Sequence, residues 1–206
     1  MGVYITRVRL DESKKATQLA LSRPSMFHGA IEESLDLSPE RKLWRIDRVG
    51  NTPFLLVVSE SVPGMSSIIE QFGDGSPADT KDYGKMLNGI HKGDTLKFRL
   101  EANPQMKRDK RTGSQKRVAK TTFKNQMEWL GRKSEKCGFS IVNAEVTSSS
   151  WKTFRHAGNS KVMFMAVVFE GQCTITDEEL FKNTLVSGIG REKAFGMGLM
   201  TVMRTR

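Results

Sequence analysis

The sequence predicts an α+β protein built from two units of the same element order. Three observations lead there: short runs of period-two alternation, a stretch of helical spacing after the first strand of each half, and turn residues that punctuate both halves. At 206 residues the chain is long enough for one large or two small domains with a buried core.

In the first half, Val3–Leu10 alternates as a strand does, and Ser22-Arg23-Pro24 supplies a cap with Pro in the first turn of a helix running to about Leu35. That helix should bury Phe27, Ala30, Ile31, Ser34 and Leu35. Leu43–Ile46 and Phe54–Ser59 read as two strands about a turn at Gly50-Asn51, followed by a short helix over Met65–Phe72. Residues 73–77 form a loop by composition, and 82–92 lack apolar periodicity, which makes them a candidate linker. The boundary is placed near residue 90, giving domains 1–90 and 91–206. The second half reads as strand Thr95–Ala102, a basic loop, helix Phe123–Cys137, strands Phe139–Thr147 and Val162–Ile175, helix Asp177–Val186 and strand Leu199–Met203. The helix over Phe123–Cys137 should bury Phe123, Met127, Leu130 and Cys137, and Thr176 with Glu179 forms a capping box for the last helix, whose core face is Leu180, Phe181 and Leu185. The order β-α-β-β-α-β is that of the ferredoxin-like (RRM-like) unit, so the chain reads as two such domains in tandem.

Charge narrows the partner. Lys and Arg total 33 against 23 Asp and Glu, a formal +10 that makes a polyanion the first partner to consider. The excess is concentrated: Lys107, Arg108, Lys110, Arg111, Lys116, Arg117, Lys120 and Lys124 face Asp109 alone in 18 residues, a loop suited to phosphates and anchored by the helix that follows. The two cysteines, Cys137 and Cys173, form neither a disulfide framework nor a CxxC knuckle, so a reducing, cytoplasmic setting without a metal or other cofactor is expected. The longest apolar stretch, Val162–Phe169, is far short of a membrane span, and no membrane partner is expected.

The C-terminal run Gly188-Ile189-Gly190-Arg191-Glu192-Lys193-Ala194-Phe195-Gly196-Met197-Gly198 is not a dinucleotide fingerprint. Lys193 stands where the third Gly would be required, and the run follows a helix and opens a strand rather than the reverse. What remains is either a helix cap with a tight turn, or a loop whose backbone amides approach a phosphate at Gly190, with Arg191 and Lys193 supplying charge.

This glycine-rich loop after β-α-β-β-α resembles the repeat-associated RNA-binding proteins of CRISPR systems, and more narrowly the CasE family of endoribonucleases, which process CRISPR repeat RNA within the type I-E Cascade complex. Tyr4–Leu10, Arg41-Lys42-Leu43-Trp44-Arg45, Phe98-Arg99-Leu100-Glu101-Ala102-Asn103-Pro104, Lys116-Arg117-Val118-Ala119 and Val168-Phe169-Glu170-Gly171 match the family layout, so the resemblance spans nearly the whole chain. It implies CRISPR repeat RNA with its stem-loop as substrate and other type I-E Cascade subunits as partners. It implies cleavage at the stem base by attack of a ribose 2′-hydroxyl, without metal, leaving 2′,3′-cyclic phosphate and 5′-hydroxyl ends. The essential histidine of the family lies in the first helix, and His28 holds the matching position; imidazole is the side chain that exchanges protons near neutrality. Family members carry a Tyr three residues before it, where this chain has Ser25, read here as a phosphate contact. Lys161 is the candidate for transition-state charge, and the 151–160 hairpin, through Lys152 and Arg155, the candidate contact to the stem. A non-catalytic RNA-hairpin-binding subunit of the same fold is the alternative that the Ser25 departure keeps open.

Overall fold

The computed structural model describes residues 2–35, 42–107, 117–155 and 161–204. Alternation over the first residues does produce a strand, β1 (Tyr4–Arg9), with Val8 fully buried and Arg7 and Arg9 outward. It lies at the centre of a four-stranded sheet with β2 (Leu43–Val49), β3 (Thr52–Ser59) and β4 (Asp79–Asp82), in the order β2-β3-β1-β4 and antiparallel throughout. Three helices accompany this sheet: α1 (Lys15–Ser22), α2 (Ser25–Glu33) and α3 (Ser66–Phe72). Phe27, Trp44, Leu55, Ile68 and Phe72 form their common core.

The second half repeats the arrangement. Strands β5 (Thr95–Ala102), β8 (Phe139–Arg155), β9 (Lys161–Ile175) and β10 (Met200–Arg204) pair antiparallel in the order β10-β5-β9-β8. Helices α5 (Phe123–Lys136) and α6 (Glu178–Ser187) cover one face, and a short hairpin of β6 (Gln105–Lys107) and β7 (Arg117–Ala119) carries the ends of the basic loop. In each half the last strand pairs beside the first and the third lies on its other side, which is the ferredoxin-like order.

Several expectations are corrected. An additional helix, α1, precedes the expected one: Ser22 ends it, its hydroxyl bonding back to the Leu19 carbonyl, and Pro24 rather than Ser22 precedes the first residue of α2. The segment 82–92 contains α4 (Tyr83–Asn88), whose Tyr83 and Leu87, with Ile90 beyond it, are buried in a core shared with Leu96, Phe98 and Phe169 of the second sheet. Phe123 is 61% exposed, whereas α5 buries Leu130 as expected, together with Gln126, Trp129 and Ser134, and Met127 and Cys137 pack partly buried against the same core. Asp177, not Thr176, caps α6 by accepting from the Leu180 amide at 2.9 Å, and Leu180 itself is half-exposed. β8 runs on to Arg155, with register shifts near Asn143 and Ser148.

The two sheets are tied by an ion network centred on one buried side chain. Arg45 of β2 is 1% exposed; it donates to both oxygens of Asp47 at 2.8 and 2.7 Å, to the carbonyls of Leu199 at 2.8 Å and Arg99 at 3.2 Å, and to the Thr201 hydroxyl at 2.9 Å. Asp47 also receives Arg99 at 3.3 Å, and Arg99 reaches on to Glu170. A buried guanidinium is tolerated because nearly every N–H finds an acceptor.

Candidate active site

The apolar spacing of α2 turns Phe27 and Ile31 inward, and the Phe27 ring lies 5.8 Å from Trp44 and 5.0 Å from Phe72. This fixes the helix and leaves its next position, His28, on the rim with 37% of its side chain exposed. One turn along, Glu32 Oε1 sits 3.8 Å from His28 Nδ1, while Glu32 Oε2 accepts from Lys42 Nζ at 2.7 Å. The Lys42 side chain is only 2% exposed, so a buried ammonium anchors the carboxylate beside the imidazole. The i,i+4 relation of His28 and Glu32 is legible in sequence; Lys42, beyond the helix, is not. Ser25, one turn before His28, is half-buried.

Two further elements meet α2. The glycine-rich loop contains a 3₁₀ turn at Lys193–Phe195, and α2 packs against it. On the other side of that turn, Phe195 lies 4.8 Å from Phe154 and 5.9 Å from Phe164, the two aromatics of the β8–β9 hairpin, in a small cluster with Ala166 and Met197. Lys152 is directly opposite Phe164 in the hairpin register and therefore on the same face; it is exposed. Lys161 is exposed at the start of β9, opposite Arg155. The structure thus brings together the helix of His28, the glycine-rich loop and the base of the hairpin.

The loop owes its path to backbone geometry. Gly196 adopts φ +82°, and a Cβ there would meet the Trp44 ring at 2.9 Å; Gly190, at φ +90°, would bring one within 3.3 Å of Trp129. Gly198 donates to the Glu101 carbonyl at 2.6 Å, binding the loop to β5. Lys193 Nζ is engaged by the Ser187 carbonyl at 2.6 Å, where it satisfies the end of α6, while Arg191 is exposed.

Of the basic-loop residues, Lys107 and Arg117 lie in the β6–β7 hairpin by backbone pairing. Arg108, Lys110, Arg111 and Lys116 lie outside the described residues, as does the hairpin tip, 156–160. Lys120 is 8% exposed, its amide held by the Pro104 carbonyl, and so does not stand on an open phosphate-facing surface. Among the described residues no three His, Cys, Asp or Glu gather as metal ligands do, and no helix is long and apolar enough to cross a membrane.

One feature was invisible in the sequence. Between α1–α2 and the open face of the second sheet lies a groove of about 450 Å³, walled by Leu21, Pro24, Trp44, Lys152 and Phe195 and floored by Glu101 and Ser148. Burial holds the Glu101 carboxyl above the usual carboxylate range, against the opposing pull of Lys152, Arg45 and Arg99.

Comparison with known proteins accords with this geometry. The CRISPR associated protein family matches residues 3–204. A Thermus thermophilus protein named CRISPR-associated endoribonuclease Cse3 is 31% identical over 219 residues of alignment, spanning 97% of this chain and 99% of that protein. A structure of Thermus thermophilus Cse3 bound to an RNA representing a pre-cleavage complex superposes with a TM-score of 0.85 at 26% identity, covering 98% of this chain and all of the other. Cas6e from Escherichia coli K-12 shares the fold, with a TM-score of 0.67 at 22% identity over 98% of this chain and 100% of that one. With a family match that runs almost from end to end, the chain belongs to the CRISPR-associated proteins.

Proposed function

We propose that this protein is a metal-independent endoribonuclease that cleaves CRISPR repeat RNA at the base of its stem-loop and keeps the hairpin as a subunit of a crRNA-guided Cascade complex in the cytoplasm. The observation that carries the reading is the end-to-end similarity to an endoribonuclease whose RNA pre-cleavage complex has the same fold. A rim histidine beside a carboxylate held by a buried ammonium supports it from the chemistry.

The reaction is an in-line displacement. The ribose 2′-oxygen attacks phosphorus as its proton is removed, the bond to the 5′-oxygen breaks, and that oxygen takes up a proton, leaving a 2′,3′-cyclic phosphate and a 5′-hydroxyl. His28 exchanges one of these protons, and Glu32, held by Lys42, orients its ring so that Nε2 faces the RNA. Lys161 is the proposed source of positive charge at the phosphate as it gains negative charge, Lys152 a contact to the RNA backbone, and Ser25 offers a hydroxyl to a phosphate oxygen. Domain 1–90 brings the histidine; domain 91–206 brings the hairpin, the basic loop and the glycine-rich loop. Contacts to the stem survive cleavage, which accounts for product retention.

The test is incubation with hairpin-forming repeat RNA in EDTA, beside His28→Ala. The expected result is cleavage to a cyclic phosphate, slowed about a hundred- to ten-thousandfold in the variant while binding persists. Tight binding without cleavage by the wild-type protein would leave a hairpin-capping subunit instead.

A further inference from the structure

We propose that the groove beside the active site is a base-reading subsite for an unpaired guanine of the RNA, with Glu101 as the residue that selects it. The inference rests on the RNA-processing reading above and adds the ligand of one particular pocket to it.

The position of Glu101 follows from the strand. Along β5, Leu96, Phe98, Leu100 and Ala102 are buried beneath the helices, so Thr95, Lys97, Arg99 and Glu101 occupy the opposite face. Register places Val168 of β9 beside Glu101 and Ser148 of β8 beside Val168, so the carboxylate and the Ser148 hydroxyl share the groove floor. No donor among the described residues reaches the Glu101 carboxylate; its neighbour Arg45 is fully engaged with Asp47, Thr201 and backbone carbonyls, and Arg99 is turned toward Asp47 and Glu170. A largely desolvated carboxylate without a hydrogen bond is unfavourable, and it is burial that holds its proton affinity up. It is a group waiting for a donor.

An RNA strand constrains what that donor is. Phosphates are repelled by a carboxylate, and the ribose 2′-hydroxyl offers a single donor that is the same on every nucleotide. Base edges differ among themselves. Guanine presents two adjacent donors, N1–H and the N2 amine, which match the two oxygens of a carboxylate in the fork arrangement that makes such pairs strong. Adenine and cytosine place one amine next to an acceptor nitrogen, and uracil flanks its single N3–H with two carbonyls that face the carboxylate unfavourably. The rest of the groove suits a nucleotide: Leu21, Pro24 and Phe195 give apolar walls for a base, and exposed Lys152, with no carboxylate within 4 Å among the described residues, stands where the attached phosphate would lie. A groove of this size is within the range of pockets that hold small organic ligands.

The experiment uses the full chain and repeat-hairpin RNAs in which each nucleotide flanking the stem is varied in turn, guanine, inosine, adenine and uracil being compared at each place. Affinity and single-turnover cleavage are measured for wild type, Glu101→Gln and Glu101→Ala. Wild type is expected to prefer guanine at one position, with loss of the N2 amine in inosine weakening binding about tenfold and uracil weakening it more. Both variants are expected to bring the guanine RNA down to the level of the others. Glu101→Gln preserves shape, so folding loss cannot mimic the result, and thermal melting checks both variants. A wild type with no guanine preference, or a preference that both variants retain, overturns the subsite while leaving the nuclease reading intact. Failure of the wild type to bind any hairpin RNA overturns the nuclease reading and the subsite with it.

Discussion

Replacing Arg45 with Met removes the guanidinium that joins the two sheets while conserving most of the side-chain volume. The side chain is 1% exposed and makes five hydrogen bonds, two to Asp47, one to Thr201 and two to the Arg99 and Leu199 carbonyls. Removing one member of a buried ion pair costs about 3–5 kcal/mol, because the groups left behind remain desolvated and unpaired. Asp47 is 19% exposed and keeps Arg99 at 3.3 Å, so the lower end, about 3 kcal/mol, applies. Against a total stability of about 5–15 kcal/mol this is a large fraction. In urea, with a slope of about 2–3 kcal/mol/M, the midpoint falls by about 1–1.5 M. The adjacent buried Trp44 provides a fluorescence probe of the same transition. Arg45→Lys keeps the charge but not the fork that spans both Asp47 oxygens, and should recover only part of the loss. A loss below about 1 kcal/mol for Arg45→Met would mean that the network is a surface-like ion pair and that apolar contacts alone hold the halves together.

Other outcomes follow from the same geometry. Gly196→Ala forces a β-carbon into a left-handed conformation 2.9 Å from the Trp44 ring, and should lower stability by about 1–3 kcal/mol in thermal unfolding and slow cleavage by displacing the 3₁₀ turn. Glu32→Gln should reduce the cleavage rate about tenfold with RNA affinity unchanged, and should add nothing to His28→Ala, since it acts through that ring; independent effects in the double variant would refute the link. RNA affinity should fall steeply with salt, and replacing Arg108 and Arg111 together should flatten the log–log slope by about 2; an unchanged slope would remove the 107–124 loop from the interface.

What could be read in the sequence was what alternation and caps announce. β5 is found where its alternation of Leu96, Phe98 and Leu100 places it, and α2 was recognised through Phe27 and Ile31, which also put His28 on a helix. α1 escaped notice because no side chain caps its start and only Thr17 and Ala20 are buried. β4 consists of four polar residues and exists through backbone pairing with β1, so it has no apolar face to detect. The roles of Lys42, Arg45 and Glu101 were hidden for a different reason. Lys42 meets Glu32 only through the chain's return after α2, and Arg45 and Glu101 meet groups that the packing of one half on the other brings close, as with Arg45 and the Leu199 carbonyl, 154 positions away. Lys193 looked like a free cation in the glycine-rich run, and only the fold shows it closing α6.

In the proposed reaction the RNA's own 2′-hydroxyl is the nucleophile and His28 moves a proton for it. The most direct test is a repeat hairpin carrying a single 2′-deoxynucleotide on the 5′ side of the scissile phosphate, with binding and cleavage measured in parallel against the all-ribose RNA. Attack by the 2′-hydroxyl requires equal affinity and no detectable cut. Cleavage of the deoxy substrate at the same bond would contradict it, because the attacking oxygen would then have to come from elsewhere.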